Sequence, residues 1–166
     1  HTTLTSEESK KNNLESAISE AAFMTGLERN ADVVYMASYA PLFARINYTQ
    51  WAPDMIWFND VSSYATPNYY VHNTGAYTLN SAVTDNDDKV YTTTSFDTES
   101  GDIIIKVVNP YDYEQKMKIY LDSAFELTGK ADIQTLTGNA YTDVNSMDNP
   151  ENVAPVSSTS DVSNNM

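Results

Sequence analysis

Residues 33–37, with the sequence VVYMA, are apolar on both of the faces that alternate along an extended chain. A strand of this kind must be covered on both sides, which is typical of a parallel sheet between layers of helices. Regular pairing should stop soon afterwards, because Pro41 has no backbone N–H to donate to a neighbouring strand. The run therefore predicts a buried strand of an α/β domain.

An amphipathic helix is predicted directly before this strand, over residues 14–29. Asn12 or Asn13 can cap its start. Helical spacing of i, i+3, i+4 and i+7 relates Leu14, Ala17, Ile18, Ala21, Ala22 and Thr25. A short second helix is predicted over residues 66–71, where Pro67 suits the first turn. The first helix, a short loop and the buried strand form one αβ unit.

The second half of the chain combines β-branched and aromatic runs with turns, which indicates an all-β region. Strands are predicted over residues 90–96, 103–108, 115–121 and 131–137. Residues 157–166 carry no apolar pattern and are predicted to be loose. Short strands at close spacing favour a β-sandwich. We therefore expect an α/β domain over residues 1–75 and an all-β domain over residues 76–166.

Charge and composition exclude several classes of function. Nine Lys and Arg residues against 23 Asp and Glu residues give a net charge of −14, so binding to nucleic acid or to anionic lipid is not expected. The chain has no Cys, which excludes a disulfide scaffold, a thiolate zinc site and cysteine catalysis. No apolar stretch approaches the ~20 residues of a membrane span. The start at His1 without a signal peptide predicts a processed or partial chain.

No carboxylate pair stands out as an acid–base pair. Glu15 and Glu20 fall on or beside the polar side of the predicted helix, where a solvated charge is favoured, and Asp54 is expected to shape a loop. His1 and His72 are far apart and lack the spacing of a metal site. Serine-hydrolase, P-loop and dinucleotide-binding motifs are absent from the sequence. We therefore assign no catalytic residue, no metal ligand and no cofactor.

Aromatic residues cluster around the end of the predicted strand and in the segment after it. Their rings can stack on sugars, and their polar tips can bind sugar hydroxyls. For Trp57 and Phe43, packing is the favoured interpretation. For Trp51, which lies beside Ala52-Pro53 in an irregular loop, packing and sugar binding both stay open.

The longest block that carries a resemblance to a known family is EAAFMTGLERNADVVYMASYAPLF, residues 20–43. It resembles a stretch of the α-L-arabinofuranosidases of family 51 of the glycoside hydrolases. The resemblance continues through WAPDMIWF (51–58) and YATPNYYV (64–71), then more weakly through GDIIIKVVNP (101–110) and NPENVAPV (149–156). It covers most of the chain from about residue 14 onward.

This resemblance implies a (β/α)8 barrel followed by a C-terminal β-sandwich. The fold class expected is therefore α/β plus all-β, with the last αβ unit of the barrel and then the sandwich, both incomplete in this chain. Residues 14–29 resemble the seventh barrel helix, residues 32–39 the eighth strand, and residues 66–71 the start of the eighth helix. In the family, the two catalytic glutamates stand at the ends of the fourth and seventh strands, which would precede His1.

Three departures from the family pattern follow. Six barrel strands are missing, the eighth helix is cut short after Val71, and the chain stops near the point where the last sandwich strand should begin. The chain is therefore expected to be a fragment. Its partner would be the missing barrel portion, on the same or another chain.

The function implied by the resemblance is retaining hydrolysis that releases terminal α-L-arabinofuranosyl residues from arabinoxylan or arabinan, in an extracellular or periplasmic setting. The alternative is a non-catalytic carbohydrate-binding or structural β-sandwich module. Residues just past the C-terminal end of a barrel strand face the active-site mouth. We therefore predict that Trp51 forms part of the wall of the arabinose pocket and that Ser38 or Tyr39 shapes its floor.

Overall fold

The computed structural model describes residues 12–49, 51–72, 77–84, 90–121, 127 and 129–162. Its helices are α1 (Leu14–Arg29) and α2 (Pro67–Tyr70). Its strands are β1 (Phe43–Arg45), β2 (Ile56–Phe58), β3 (Ser63–Ala65), β4 (Tyr77–Leu79), β5 (Tyr91–Phe96), β6 (Ile103–Val108), β7 (Lys130–Thr135) and β8 (Val156–Asp161). They form three separate sheets, in the orders β1-β2-β3, β4-β5-β6 and β7-β8.

Helix α1 has the bounds that the sequence predicts. The Asn13 side chain caps its start by accepting a hydrogen bond of 2.9 Å from the Ser16 N–H. At the other end, the Asn30 side-chain amide donates to the Gly26 carbonyl at 2.7 Å. These local contacts satisfy backbone groups that a helix end leaves unpaired, which explains why the boundaries could be predicted.

Residues 33–37, predicted to be a strand, have no strand conformation in the structure and pair with no strand in the part of the chain that it describes. Val33, Tyr35 and Met36 are 67%, 92% and 87% exposed. A strand exists only where a neighbour supplies backbone hydrogen bonds, and none of the three sheets includes this segment. The described residues form no closed barrel, of which the resemblance implies only the last αβ unit in this chain.

A small mixed sheet follows that segment. Strand β1 runs parallel to β2, and β3 returns antiparallel to β2, with Trp57 opposite Tyr64. The sequence indicated the apolar run of β2 but not its two neighbours. Helix α2 follows β3 and begins at Pro67, which the sequence predicted to lie in the first turn of a helix.

The β4-β5-β6 sheet confirms two predicted strands. β5 and β6 pair antiparallel over six residues each, from Tyr91 opposite Val108 to Phe96 opposite Ile103. The turn between them places Gly101 at a φ of 80°, where a glycine is favoured because it has no Cβ. β4 adds a third strand on the other side of β5.

Two predictions for the C-terminal half need correction. Residues 115–121 form no strand, and Ile119 and Tyr120 are exposed, so their alternating pattern joins no sheet among the described residues. The tail predicted to be loose instead contains β8, which pairs antiparallel with β7. Backbone hydrogen bonds alone align β8, since all six of its side chains are exposed. Residues 163–166 lie outside the described part.

Helix α1 packs against the β4-β5-β6 sheet through polar contacts at its C-terminal end. Lys106 Nζ lies 2.7 Å from Glu28 Oε1, and both side chains are mostly buried. Arg29 donates to the Thr92 carbonyl at 2.8 Å, and the Thr78 hydroxyl donates to the Glu28 carbonyl at 2.8 Å. These contacts join the C-terminal end of the helix to the sheet.

The buried interior of the described residues is small and mostly polar. Its buried apolar side chains are Leu14, Ala17, Ala44, Met55, Pro67 and Val153. A larger set of polar side chains is buried, and many large apolar side chains remain at the surface. Among the described residues, no helix has the length and apolar character needed to cross a membrane.

Candidate functional site

A cluster of polar side chains lies between α1, α2 and the segment that follows residue 37. We call it the polar cluster, and its members are Asn12, Ser16, Glu20, Tyr39, Thr66, Asn68 and His72. The residues that form hydrogen bonds with each other in this cluster are 27 to 54 positions apart in sequence. The fold, rather than local sequence, therefore brings them together.

Glu20 is the charged centre of one half of this cluster. The Asn68 side-chain amide donates to its Oε2, and His72 Nε2 lies 3.2 Å from its Oε1. The Ser16 hydroxyl in turn donates to Asn68 Oδ1 at 2.9 Å. The sequence predicted a solvated Glu20, but its side chain is only 21% exposed and paired, so that prediction is wrong.

Tyr39 is held in the other half of the cluster. Its hydroxyl accepts a hydrogen bond of 2.9 Å from the Asn12 side-chain amide, and its ring meets His72 edge to face at 5.6 Å. Burial raises the pKa of Tyr39 above its usual value, and the negative charges of Glu20 and Asp54 raise it further, against the opposing effect of the Asn12 hydrogen bond. The phenol is therefore neutral near pH 7 and can donate a hydrogen bond to a ligand.

Asp54 is a buried carboxyl group in the loop that carries Trp51. It is 1% exposed, and its Oδ2 has no hydrogen-bond partner among the described residues. Burial raises the pKa of Asp54, while the nearby Thr49 hydroxyl lowers it by a smaller amount. An unpaired buried carboxylate oxygen destabilises a fold unless a proton or another group binds it.

Asp54→Asn should therefore raise the melting temperature at pH 7. Because the folded-state pKa of this group is raised, its ionised form destabilises the fold, and that penalty is lost as the pH falls through the folded pKa towards 3.8. Each kcal/mol by which the substitution raises the free energy of unfolding should raise the Tm by about 2–4 °C. This gain should shrink on acidification from pH 7 to pH 4. Thermal melts of both proteins across this range test the prediction. The exposed control Asp32→Asn should show no such trend, and an Asp54→Asn gain that is absent or independent of pH would contradict it.

The three residues predicted to bind sugar lie in different surroundings. Tyr39 belongs to the polar cluster, whereas Ser38 is exposed beside it. Trp51 is 53% exposed, with its backbone fixed by Thr49, whose hydroxyl donates to the Trp51 carbonyl at 2.6 Å. No hydrogen bond or ring contact joins Trp51 to Tyr39 within the described ranges. Asp54, which follows Trp51 by three positions in the same loop, affects the Tyr39 hydroxyl electrostatically.

The sequence analysis missed the pairing of Glu20 with Asn68 and His72. The sequence offered only polar residues in and beside two separate predicted helices. Their spacing along the chain does not show which of these residues pair. In the part of the chain that the structure describes, no group of three His, Asp or Glu side chains could hold a metal ion.

Comparison with known proteins defines the class. Residues 3–166 match the family described as Alpha-L-arabinofuranosidase C-terminal domain, and the chain belongs to this family. Alpha-L-arabinofuranosidase 2 of Arabidopsis thaliana is 37% identical over 155 residues, which are 89% of this chain and 23% of that protein. The Extracellular exo-alpha-L-arabinofuranosidase of Streptomyces chartreusis is 59% identical over 63 residues, 38% of this chain and 8% of that protein.

A solved structure agrees with the family assignment. The arabinose-bound MgGH51 α-L-arabinofuranosidase superimposes with a TM-score of 0.79 and 30% identity, over 92% of this chain and 25% of that one. The match lies in the C-terminal region of that enzyme. The chain spans about a quarter of the length of the Arabidopsis relative and of this solved structure.

Proposed function

We propose that this chain is the C-terminal part of a retaining α-L-arabinofuranosidase, which releases terminal α-L-arabinofuranosyl residues from arabinoxylan or arabinan. The observation that carries the proposal is the family match over residues 3–166. The plant relative and the arabinose-bound enzyme support it, because each aligns with about nine tenths of the chain. The extracellular relative from Streptomyces supports a secreted location.

In this proposal, residues 33–37 are the eighth strand of a (β/α)8 barrel. The exposure of Val33, Tyr35 and Met36 supports it, because such an apolar surface is stable only when it is covered. The strands that pair with this segment and the elements that cover its two faces would belong to the barrel portion, which the relatives have beyond the matched quarter. The same portion would supply the two catalytic carboxylates that glycoside hydrolysis needs.

The residues of this chain would bind the sugar rather than cleave it. Residues after the end of a barrel strand face the mouth of the barrel, so Ser38 and Tyr39 would form the pocket floor. Asn12 and His72 hold the neutral Tyr39 phenol in one orientation, which suits hydrogen bonding to a sugar hydroxyl. Trp51, with its backbone fixed and its ring half-exposed, would supply the apolar wall.

The direct test is hydrolysis of an aryl α-L-arabinofuranoside by the full-length protein, with the anomeric configuration of the first product followed by proton NMR. The proposal predicts turnover with release of α-L-arabinofuranose. Full-length protein that folds and binds arabinoxylan without any turnover would instead support a non-catalytic carbohydrate-binding module. Inverted product would overturn the retaining mechanism.

A further inference from the structure

A second aromatic surface lies on the loop that follows β6. Tyr111 and Tyr113 stack with their ring centroids 5.1 Å apart and an interplanar angle of 25°. Tyr113 is 47% exposed, and the neighbouring Asp112 and Glu114 are exposed as well. We call Tyr111 and Tyr113 the tyrosine platform.

Hydrogen bonds fix the platform in advance of any ligand. The Asn109 side chain accepts from the Tyr111 N–H at 3.1 Å and donates to the Tyr113 carbonyl at 2.8 Å, so one amide clamps the backbone of both tyrosines. The Tyr141 hydroxyl donates to the Pro110 carbonyl at 3.0 Å. A loop that is already ordered loses little conformational entropy on binding, which favours affinity.

The platform adjoins a concave surface. Pro110 also lines a groove of about 370 Å³, together with Ile18, Ser19, Ala22, Phe23 and Tyr91. This volume lies in the range of small-molecule sites, at the lower end.

We propose that the tyrosine platform binds a neutral polysaccharide, with one sugar ring packed against the exposed part of the Tyr113 side chain. An aromatic face packs against the C–H groups of a sugar, while the carboxylates of Asp112 and Glu114 can accept hydrogen bonds from its hydroxyls. The same carboxylates and the net charge of −14 oppose an anionic ligand.

The size of the platform favours a glycan over a protein partner. Two fully exposed tyrosines would offer at most about 300–500 Å², whereas a stable protein interface buries about 800 Å² on each partner. Tyr111 and Tyr113 are only partly exposed, so the available area is smaller still. One or two sugar rings fit such an area.

The test is native gel electrophoresis of the full-length protein in gels that contain soluble arabinoxylan. The proposed function guides only the choice of this polysaccharide, and the readout is retardation rather than hydrolysis, so the two proposals can fail separately. Wild-type protein should be retarded. Tyr113→Ala should weaken binding about tenfold, since aromatic anchors commonly dominate binding.

Matched variants separate stacking from folding. Tyr113→Phe keeps the ring and should retain binding, and Tyr120→Ala removes an exposed tyrosine elsewhere and should leave binding unchanged. Asn109→Ser keeps both rings but releases the loop, so it should weaken binding severalfold even if Tyr113→Ala does not fold. The proposal is overturned by absence of wild-type retardation, by equal retardation of Tyr113→Ala, or by equal retardation in gels containing polyethylene glycol, which would indicate general adhesion.

Discussion

The 166-residue chain on its own should not hydrolyse an aryl α-L-arabinofuranoside above the rate in buffer. Glycoside hydrolysis needs one carboxyl group as acid–base and a second as nucleophile, and each contributes orders of magnitude to the rate. Glu20 is engaged by Asn68 and His72, and Asp54 is buried, so neither is available to a substrate in the structure. Release of the aryl group, measured by absorbance at equal concentrations of the chain and the full-length protein, tests this expectation.

The control for that experiment is a pair of carboxamide variants of the chain. If weak turnover is found, Glu20→Gln and Asp54→Asn should leave it unchanged, because it would come from a contaminating enzyme. Turnover near the rate of the full-length protein that either variant abolishes would contradict the prediction. It would place catalysis within this chain.

Trp51→Ala in the full-length protein should reduce kcat/KM on a short arabinofuranosyl substrate by about 5- to 150-fold. This range corresponds to the roughly 1–3 kcal/mol expected when a buried aromatic contact with a ligand is lost. The Trp51 ring is half-exposed and its backbone is held by Thr49, so truncation should change the pocket wall without unfolding the loop. Steady-state kinetics together with thermal melting provide the measurement.

The matched control is Tyr48→Ala, which removes an exposed aromatic side chain three positions earlier in the same loop. Its catalytic efficiency should equal that of the wild type. If Trp51→Ala also keeps full efficiency, or loses efficiency and melting temperature together, Trp51 only packs the loop. A loss of efficiency at an unchanged Tm is the outcome that supports a pocket wall.

Local signals explain which elements could be predicted from the sequence. Helix α1 carries its own cap at Asn13, and α2 begins at Pro67, so both could be located from neighbouring residues alone. β5 and β6 carry β-branched runs on both sides of a turn at Gly101. In each case the residues that determine the element lie within or beside it.

Long-range pairing explains what could not be predicted. β8 consists mostly of serine, threonine and aspartate, and only its backbone pairing with β7 makes it a strand. The polar cluster joins Glu20 to His72 across 52 positions, which no periodicity reveals. Residues 33–37 are the opposite case. Their apolar pattern predicts a strand, but the described residues do not supply the neighbouring strands that it needs.

Amide hydrogen exchange at residues 33–37 tests most directly whether this chain completes a larger barrel. In the full-length protein, we expect these amides to be protected to the same degree as those of β5 and β6, because a buried barrel strand donates its N–H groups to its neighbours. In the 166-residue chain, they should exchange rapidly while β5 and β6 stay protected. Rapid exchange in the full-length protein, or strong protection in a monomeric 166-residue chain, would contradict the account.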